Sequence, residues 1–82
     1  MNVELTDRAK HQLKKLPKDQ QKKVVGKLQL LGPSPLIGKL LSGELKGLRG
    51  FRAWPYRIIY YIDLNKKTIF VTDILHRQGV YK

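Results

Sequence analysis

Lys46–Lys82 reads KGLRGFRAWPYRIIYYIDLNKKTIFVTDILHRQGVYK and holds the aromatics, most of the β-branched residues and four of the five arginines of an 82-residue chain. Side chains of this kind fit the pleated, half-buried surface of a sheet. Three strands are expected within it. Phe51 to Trp54 ends at Pro55, Arg57 to Asp63 ends at a turn through Leu64, Asn65 and Lys66, and Thr68 to Leu75 precedes the tail HRQGVYK. Connections this short predict an antiparallel meander. The sheet is expected to begin over Glu44 to Leu48, with Gly47 and Gly50 leaving room for bends or bulges.

Upstream, the apolar spacing changes to that of helices. Met1 to Leu5 is short enough for an edge strand. Thr6 reads as an N-cap with Asp7 in the first turn, opening a helix to about Lys15 that buries Ala9, Leu13 and Leu16. Pro17 starts a second helix, to about Leu31, that buries Val24, Leu28 and Leu31, and Gly32-Pro33 stops it. The two helices form a hairpin. Pro33 to Gly43 is a loop whose leucines are expected to lie against the body. The fold class is therefore α+β: a short N-terminal strand, a helical hairpin, then a three-stranded antiparallel meander, with both helices on one face of the twisted sheet. Residues 1–82 make a single domain, near the lower size limit for a self-sufficient core.

The net charge of +11 is the strongest global feature. A field of this strength points to nucleic acid or a strongly acidic protein as partner. The absence of cysteine removes disulfides and thiolate metal sites and fits a reducing cytoplasm. No apolar run approaches membrane-spanning length, and MNVELTDRAK lacks a signal-peptide core. A soluble, cytoplasmic protein without membrane contact is expected. Two histidines and six scattered carboxylates give no metal-ligand spacing, and there is no Gly-rich phosphate loop. The expectation is chemistry by cations and an imidazole, with no metal and no cofactor.

Alternation in the strands assigns faces. Ile58, Tyr60 and Ile62 share one side; Arg57, Ile59 and Tyr61 share the other. Arginine is almost never buried unpaired, so the first set is expected to meet the helices and Arg57 to face away. The same parity places Arg52 and Trp54 beside Arg57, with Phe51 and Ala53 inward. Cations beside an aromatic on an open sheet suit single-stranded RNA, with charge on phosphate and rings on bases. An ordinary solvated sheet face is the alternative. Regular alternation in the last strand puts Asp73, Leu75 and Arg77 with Ile69 and Val71, and Asp73 within reach of one of the arginines. His76 and Arg77 reach one site only if the strand ends at or before His76.

These features together resemble the RelE/ParE superfamily of small toxins from toxin–antitoxin pairs, and its RelE-like branch in particular. The resemblance spans almost the whole chain. It rests on Leu45-Lys46-Gly47-Leu48, the strand Tyr56-Arg57-Ile58-Ile59-Tyr60, and His76-Arg77 followed by Val80-Tyr81. It implies a RelE-like microbial RNase-type fold and a metal-independent endoribonuclease, an mRNA interferase. Such toxins enter the ribosomal A site and cut mRNA by attack of a 2′-hydroxyl on the adjacent phosphate, which inhibits translation.

The resemblance carries over Arg57 as a cation on the phosphorane and Arg77 as a second cation assisting the leaving group. Tyr81 matches a terminal aromatic that stacks on a base or orients the substrate, and Arg52 matches a strand position that is often basic. Lys46, Arg49, Trp54 and Lys82 join Arg52 as candidate RNA-binding residues. Trp54 stands where RelE has a second lysine, so the base assigned there has no counterpart. His76 is then a candidate base or acid, or a structural histidine at the strand end. Glu44 is a candidate base, or an exposed loop carboxylate one residue off the pattern of relatives that use a glutamate–histidine pair. The C-terminal helix of some members has no counterpart after Tyr81, which is expected to leave the sheet face open to a partner. The implied partners are a cognate acidic antitoxin that folds on binding, the ribosome with its mRNA, and operator DNA only through the antitoxin complex. The alternatives are a ParE-like inhibitor of DNA gyrase and a catalytically inactive homologue acting only in the antitoxin complex.

Overall fold

The computed structural model describes residues 1–77. Along the chain run β1 (Asn2–Leu5), α1 (Asp7–Lys14), α2 (Lys18–Leu31), β2 (Lys39–Leu40), β3 (Arg49–Ala53), β4 (Tyr56–Asp63) and β5 (Thr68–His76). The strands form one five-stranded sheet in the order β1-β5-β4-β3-β2. The expected meander is β3-β4-β5, and β1 is the expected edge strand, parallel to β5. The sheet is wider than the sequence predicts, because β2 adds an antiparallel edge beside β3. Glu44 to Leu48 does not start a strand. Gly43–Leu45 is a 3₁₀ turn, with Gly43 at φ 67° and Gly47 at φ 91°. Residues with a Cβ avoid these angles, and a chain turning there twice cannot lie in a ladder.

Thr6 caps α1, its hydroxyl accepting the Ala9 N–H at 3.2 Å, with Asp7 in the first turn. The break before α2 is closed by Gln21, whose amide donates to the Lys14 and Leu16 carbonyls at 3.2 and 2.8 Å. These are carbonyls that a helix end leaves without partners. Ala9, Val24, Leu28 and Leu31 then pack against Ala53, Ile58, Tyr60, Ile69, Val71 and Ile74. That is the core, and the inward parity of β4 is the one expected.

β5 departs from the expected alternation. Ile59 pairs with Asp73 and Tyr60 with Val71, which leaves Thr72 as an extra residue. A bulge of this kind switches parity, so Val71 and Ile74 both reach the core. The cause lies at the sheet edge. β1 ends at Leu5, and past it the outer edge of β5 is satisfied from α1 and its cap. The Thr6 N–H donates to the Val71 carbonyl at 3.0 Å and the Thr6 hydroxyl to the Thr72 carbonyl at 3.3 Å. Gln12 accepts the Ile74 N–H at 2.6 Å and donates to Asp73 at 3.2 Å. The arginine that meets Asp73 is Arg8 of α1, at 3.6 Å, rather than one from the sheet. A pair of that length with the arginine 74% exposed contributes little to stability.

The loop before β2 is fixed by Tyr60. Its buried hydroxyl donates to the Pro35 carbonyl at 2.7 Å and accepts the Gly38 N–H at 2.9 Å. Arg49 donates to the Gly38 carbonyl at 2.9 Å. Leu41 is half-buried, but Leu36 and Leu40 are 68% and 65% exposed, so only part of the loop's apolar surface lies against the body.

Tyr60→Phe leaves the Gly38 N–H without its partner and is expected to destabilise by about 1–3 kcal/mol. Gly38→Ala sets a Cβ 2.8 Å from the Tyr60 ring and is expected to cost a similar amount, about 1–3 kcal/mol. Thermal unfolding of both variants beside the wild type checks this, with Tm falling by roughly 4–8 °C per kcal/mol.

Candidate functional site

Arg52 and Arg57 are direct cross-strand partners in β3 and β4. Like charges facing each other this way repel, and an anion lying between them removes the repulsion. Arg52 is exposed and Arg57 is half-buried. The stem of Arg57 crosses Gly50, where a Cβ would stand 3.1 Å from its Cδ and 3.3 Å from a Leu41 methyl. Gly50 is thus a close-approach residue, not the bend the sequence suggests. Around it lies an open cleft of ≈ 380 Å³, whose lining includes Ile37, Lys39, Leu41, Arg52 and Arg57. This face is less open than alternation predicts. Ile59, the partner of Gly50, is only 1% exposed, and Leu41 folds over Gly50.

A second group forms at the β3–β4 turn, where the Trp54–Pro55 peptide is cis. Trp54 is 55% exposed and the Arg77 guanidinium lies over its ring, 5.0 Å from the centroid. The Arg77 N–H donates to the Pro55 carbonyl at 2.8 Å, and Lys23 of α2 donates to the Trp54 carbonyl at 3.1 Å. β5 ends at His76, the condition under which His76 and Arg77 diverge from strict alternation. Even so, His76 pairs with Tyr56 and meets its ring edge-on at 5.4 Å. Tyr56 packs on the core, so His76 stands on the helix side of the sheet, at its exposed rim. Arg57 pairs with Leu75 on the other side.

The remaining candidates are spread out. Arg49 shares the parity of Phe51 and Ala53, and its guanidinium binds the Gly38 carbonyl. Glu44 and Lys46 are exposed in and after the 3₁₀ turn. Tyr81 and Lys82, with Val80, lie outside the described residues. Sequence reasoning missed Lys39, Leu41 and Lys23. Only Gly50 carried a signal, a glycine inside a strand pattern. No helix among the described residues is long and apolar enough to cross a membrane.

The sequence has no match among curated proteins. A model of the family described as the ParE toxin of type II toxin–antitoxin system, parDE, matches residues 3–81. Among solved structures, the chain is similar to a chain of the toxin–antitoxin complex RelBE2 from Mycobacterium tuberculosis. The two are 35% identical over 93% of this chain and 96% of that one, with a TM-score of 0.84. The intact RelBE toxin–antitoxin complex of E. coli shares the fold at 21% identity, over 92% and 94% of the chains, with a TM-score of 0.75. The archaeal RelE–RelB complex of Pyrococcus horikoshii does so at 23% identity, over 93% of each chain, with a TM-score of 0.73. The chain belongs to the RelE/ParE family of toxins of type II toxin–antitoxin systems.

Proposed function

We propose that this toxin, of the RelE-like branch, is a ribosome-dependent endoribonuclease that cuts mRNA in the A site and so inhibits translation. The observation that carries the reading is the facing pair Arg52 and Arg57 over the Gly50 floor, with an exposed tryptophan stacked on a third arginine at the turn that follows β3. That arrangement suits a phosphate flanked by a base.

In this reading a base removes the proton of a 2′-hydroxyl and the oxygen attacks the neighbouring phosphorus. The P–O bond to the 5′-oxygen breaks, and that oxygen takes a proton from an acid, leaving a 2′,3′-cyclic phosphate and a free 5′-hydroxyl. Arg57 stabilises the charge that builds on the phosphorane oxygens, and Arg52 holds the strand in line. Arg77, held against Trp54, is the second cation and serves the leaving group. His76 stands on the opposite side of the sheet from Arg57, so its candidate proton transfer is to the leaving oxygen at the rim, beside Arg77. Glu44 stays a more distant candidate on its exposed turn, and Tyr81 keeps the stacking role that the family pattern suggests. The partner is an acidic antitoxin, in line with the complexes RelBE2 and RelBE. Its charge answers the +11 of this chain.

A second reading is favoured by the family model itself, which is that of the ParE toxin. It makes the chain a binding inhibitor of DNA gyrase. Primer extension on an mRNA translated in vitro separates the two. Cuts within A-site codons are expected with wild type, slowed roughly a hundred-fold by Arg57→Ala and by Arg77→Ala. Intact mRNA together with loss of gyrase supercoiling would reverse the assignment.

Gly50→Val tests the floor of the cleft. Valine suits a strand, but its Cβ lies 3.1 Å from the Arg57 stem. Cleavage is expected to fall at least ten-fold on the order of a lost aligned contact, with the circular-dichroism spectrum unchanged.

A further inference from the structure

The face that carries Arg57 continues along β4 to Tyr61, four residues on, a rise of about 13 Å. Tyr61 is the cross-strand partner of Phe70, and the two rings stack with centroids 5.4 Å apart and an interplanar angle of 27°. The Lys66 ammonium lies 5.6 Å from the centre of the Phe70 ring. Phe70 is half-buried between these neighbours, while Tyr61 remains 37% exposed. Ile58, Tyr60, Ile69 and Val71 occupy the helix-facing parity, so the pair stands on the helix-free side.

A cross-strand aromatic pair can serve stability alone. Three features point further. The exposed ring belongs to tyrosine, flat and amphipathic, and it rests on a second ring that holds its plane. The Lys66 ammonium lies over that second ring, a cation suited to a phosphate. The pair also shares its sheet face with the two facing arginines, so one extended strand can reach both. A flat exposed ring with a neighbouring cation is the arrangement that holds single-stranded nucleic acid without reading its sequence.

We propose that Tyr61, backed by Phe70 and flanked by Lys66, is a nucleobase-stacking platform for the single-stranded RNA whose phosphate Arg52 and Arg57 hold. The proposal rests on the nuclease reading and adds a second anchor to it, well apart from the reacting phosphate. The platform sets grip and register of the RNA, and the arginines act on its backbone.

The test is fluorescence anisotropy of the full chain with a short 2′-O-methyl oligoadenylate, which cannot be cut, and with the same backbone lacking bases. Tyr61→Leu is expected to weaken binding to the base-bearing strand about ten-fold, and to leave the abasic strand unaffected. Tyr61→Trp keeps a flat ring and is expected to bind the base-bearing strand at least as tightly as wild type. It guards against misreading a loss of fold in the leucine variant. Equal binding of wild type and Tyr61→Leu, or an equal loss on both strands, overturns the platform. So does an unchanged RNA affinity with weakened antitoxin binding, which would reassign the pair to a protein interface. Arg57-dependent cutting that persists in either case shows that only the platform has failed. A wild type that binds neither strand and cuts no mRNA removes both readings together.

Discussion

β4 is hydrogen-bonded on both sides, and its alternate residues Ile58 and Tyr60 are fully buried against the helices. A strand in that position cannot rotate without moving those side chains into water, and a guanidinium cannot take their place. Arg57 is therefore held on the helix-free side, and the pairing with β3 brings Arg52 opposite it. The core packing behind the sheet thus fixes where both guanidinium stems leave the backbone, so the proposed phosphate contact needs no rearrangement of the strands.

The same strand builds the wall of the cleft. Tyr60 reaches past the core and ties down Pro35 and Gly38, which sets where Lys39 and Leu41 leave the loop and enter the cleft. Arg49 completes that anchor from β3. On the far side, Gln12 and Thr6 close the edge of β5 where β1 gives out, and the bulge at Thr72 follows. Core, loop anchor and edge closure thus all converge on positioning β4 and β5. The helices add charge as well as apolar surface: residues 7–31 hold eight Lys and Arg against two Asp. Lys23 and Lys27 turn inward to the Trp54 carbonyl and the Phe51 ring, so their charge braces β3 and the turn after it.

Much of this is legible in the sequence. The helix bounds follow from Thr6, Pro17 and Gly32, and the parity of β4 follows from one arginine among apolar residues. That single assignment puts Arg52 and Arg57 on one face, as their pairing does, whereas Trp54 lies past the end of β3 in the turn. The parity of β5 is not legible, because TIFVTDILH fits a regular strand throughout and the bulge is imposed by α1 at the edge. β2 is invisible for a related reason: Lys39 and Leu40 form a strand only because β3 is there to pair with. Arg49 looks like its neighbour Arg52, yet the two have opposite parity within β3, and the partner Gly38 is set by a loop. His76 is misplaced by the same bulge, since a regular ladder would put it on the face away from Ile69 and Val71. Charge and pattern identify the residues; long-range pairing decides which of them meet.

The proposed phosphate site joins Arg52 and Arg57 across β3 and β4. Single-turnover cleavage of A-site mRNA by wild type, Arg52→Ala, Arg57→Ala and the double variant measures it directly as a coupling energy. One shared phosphate predicts strong non-additivity, with the double variant little slower than Arg57→Ala alone. Rate losses that multiply, with no coupling between the two positions, would contradict the claim and separate the arginines into independent contacts.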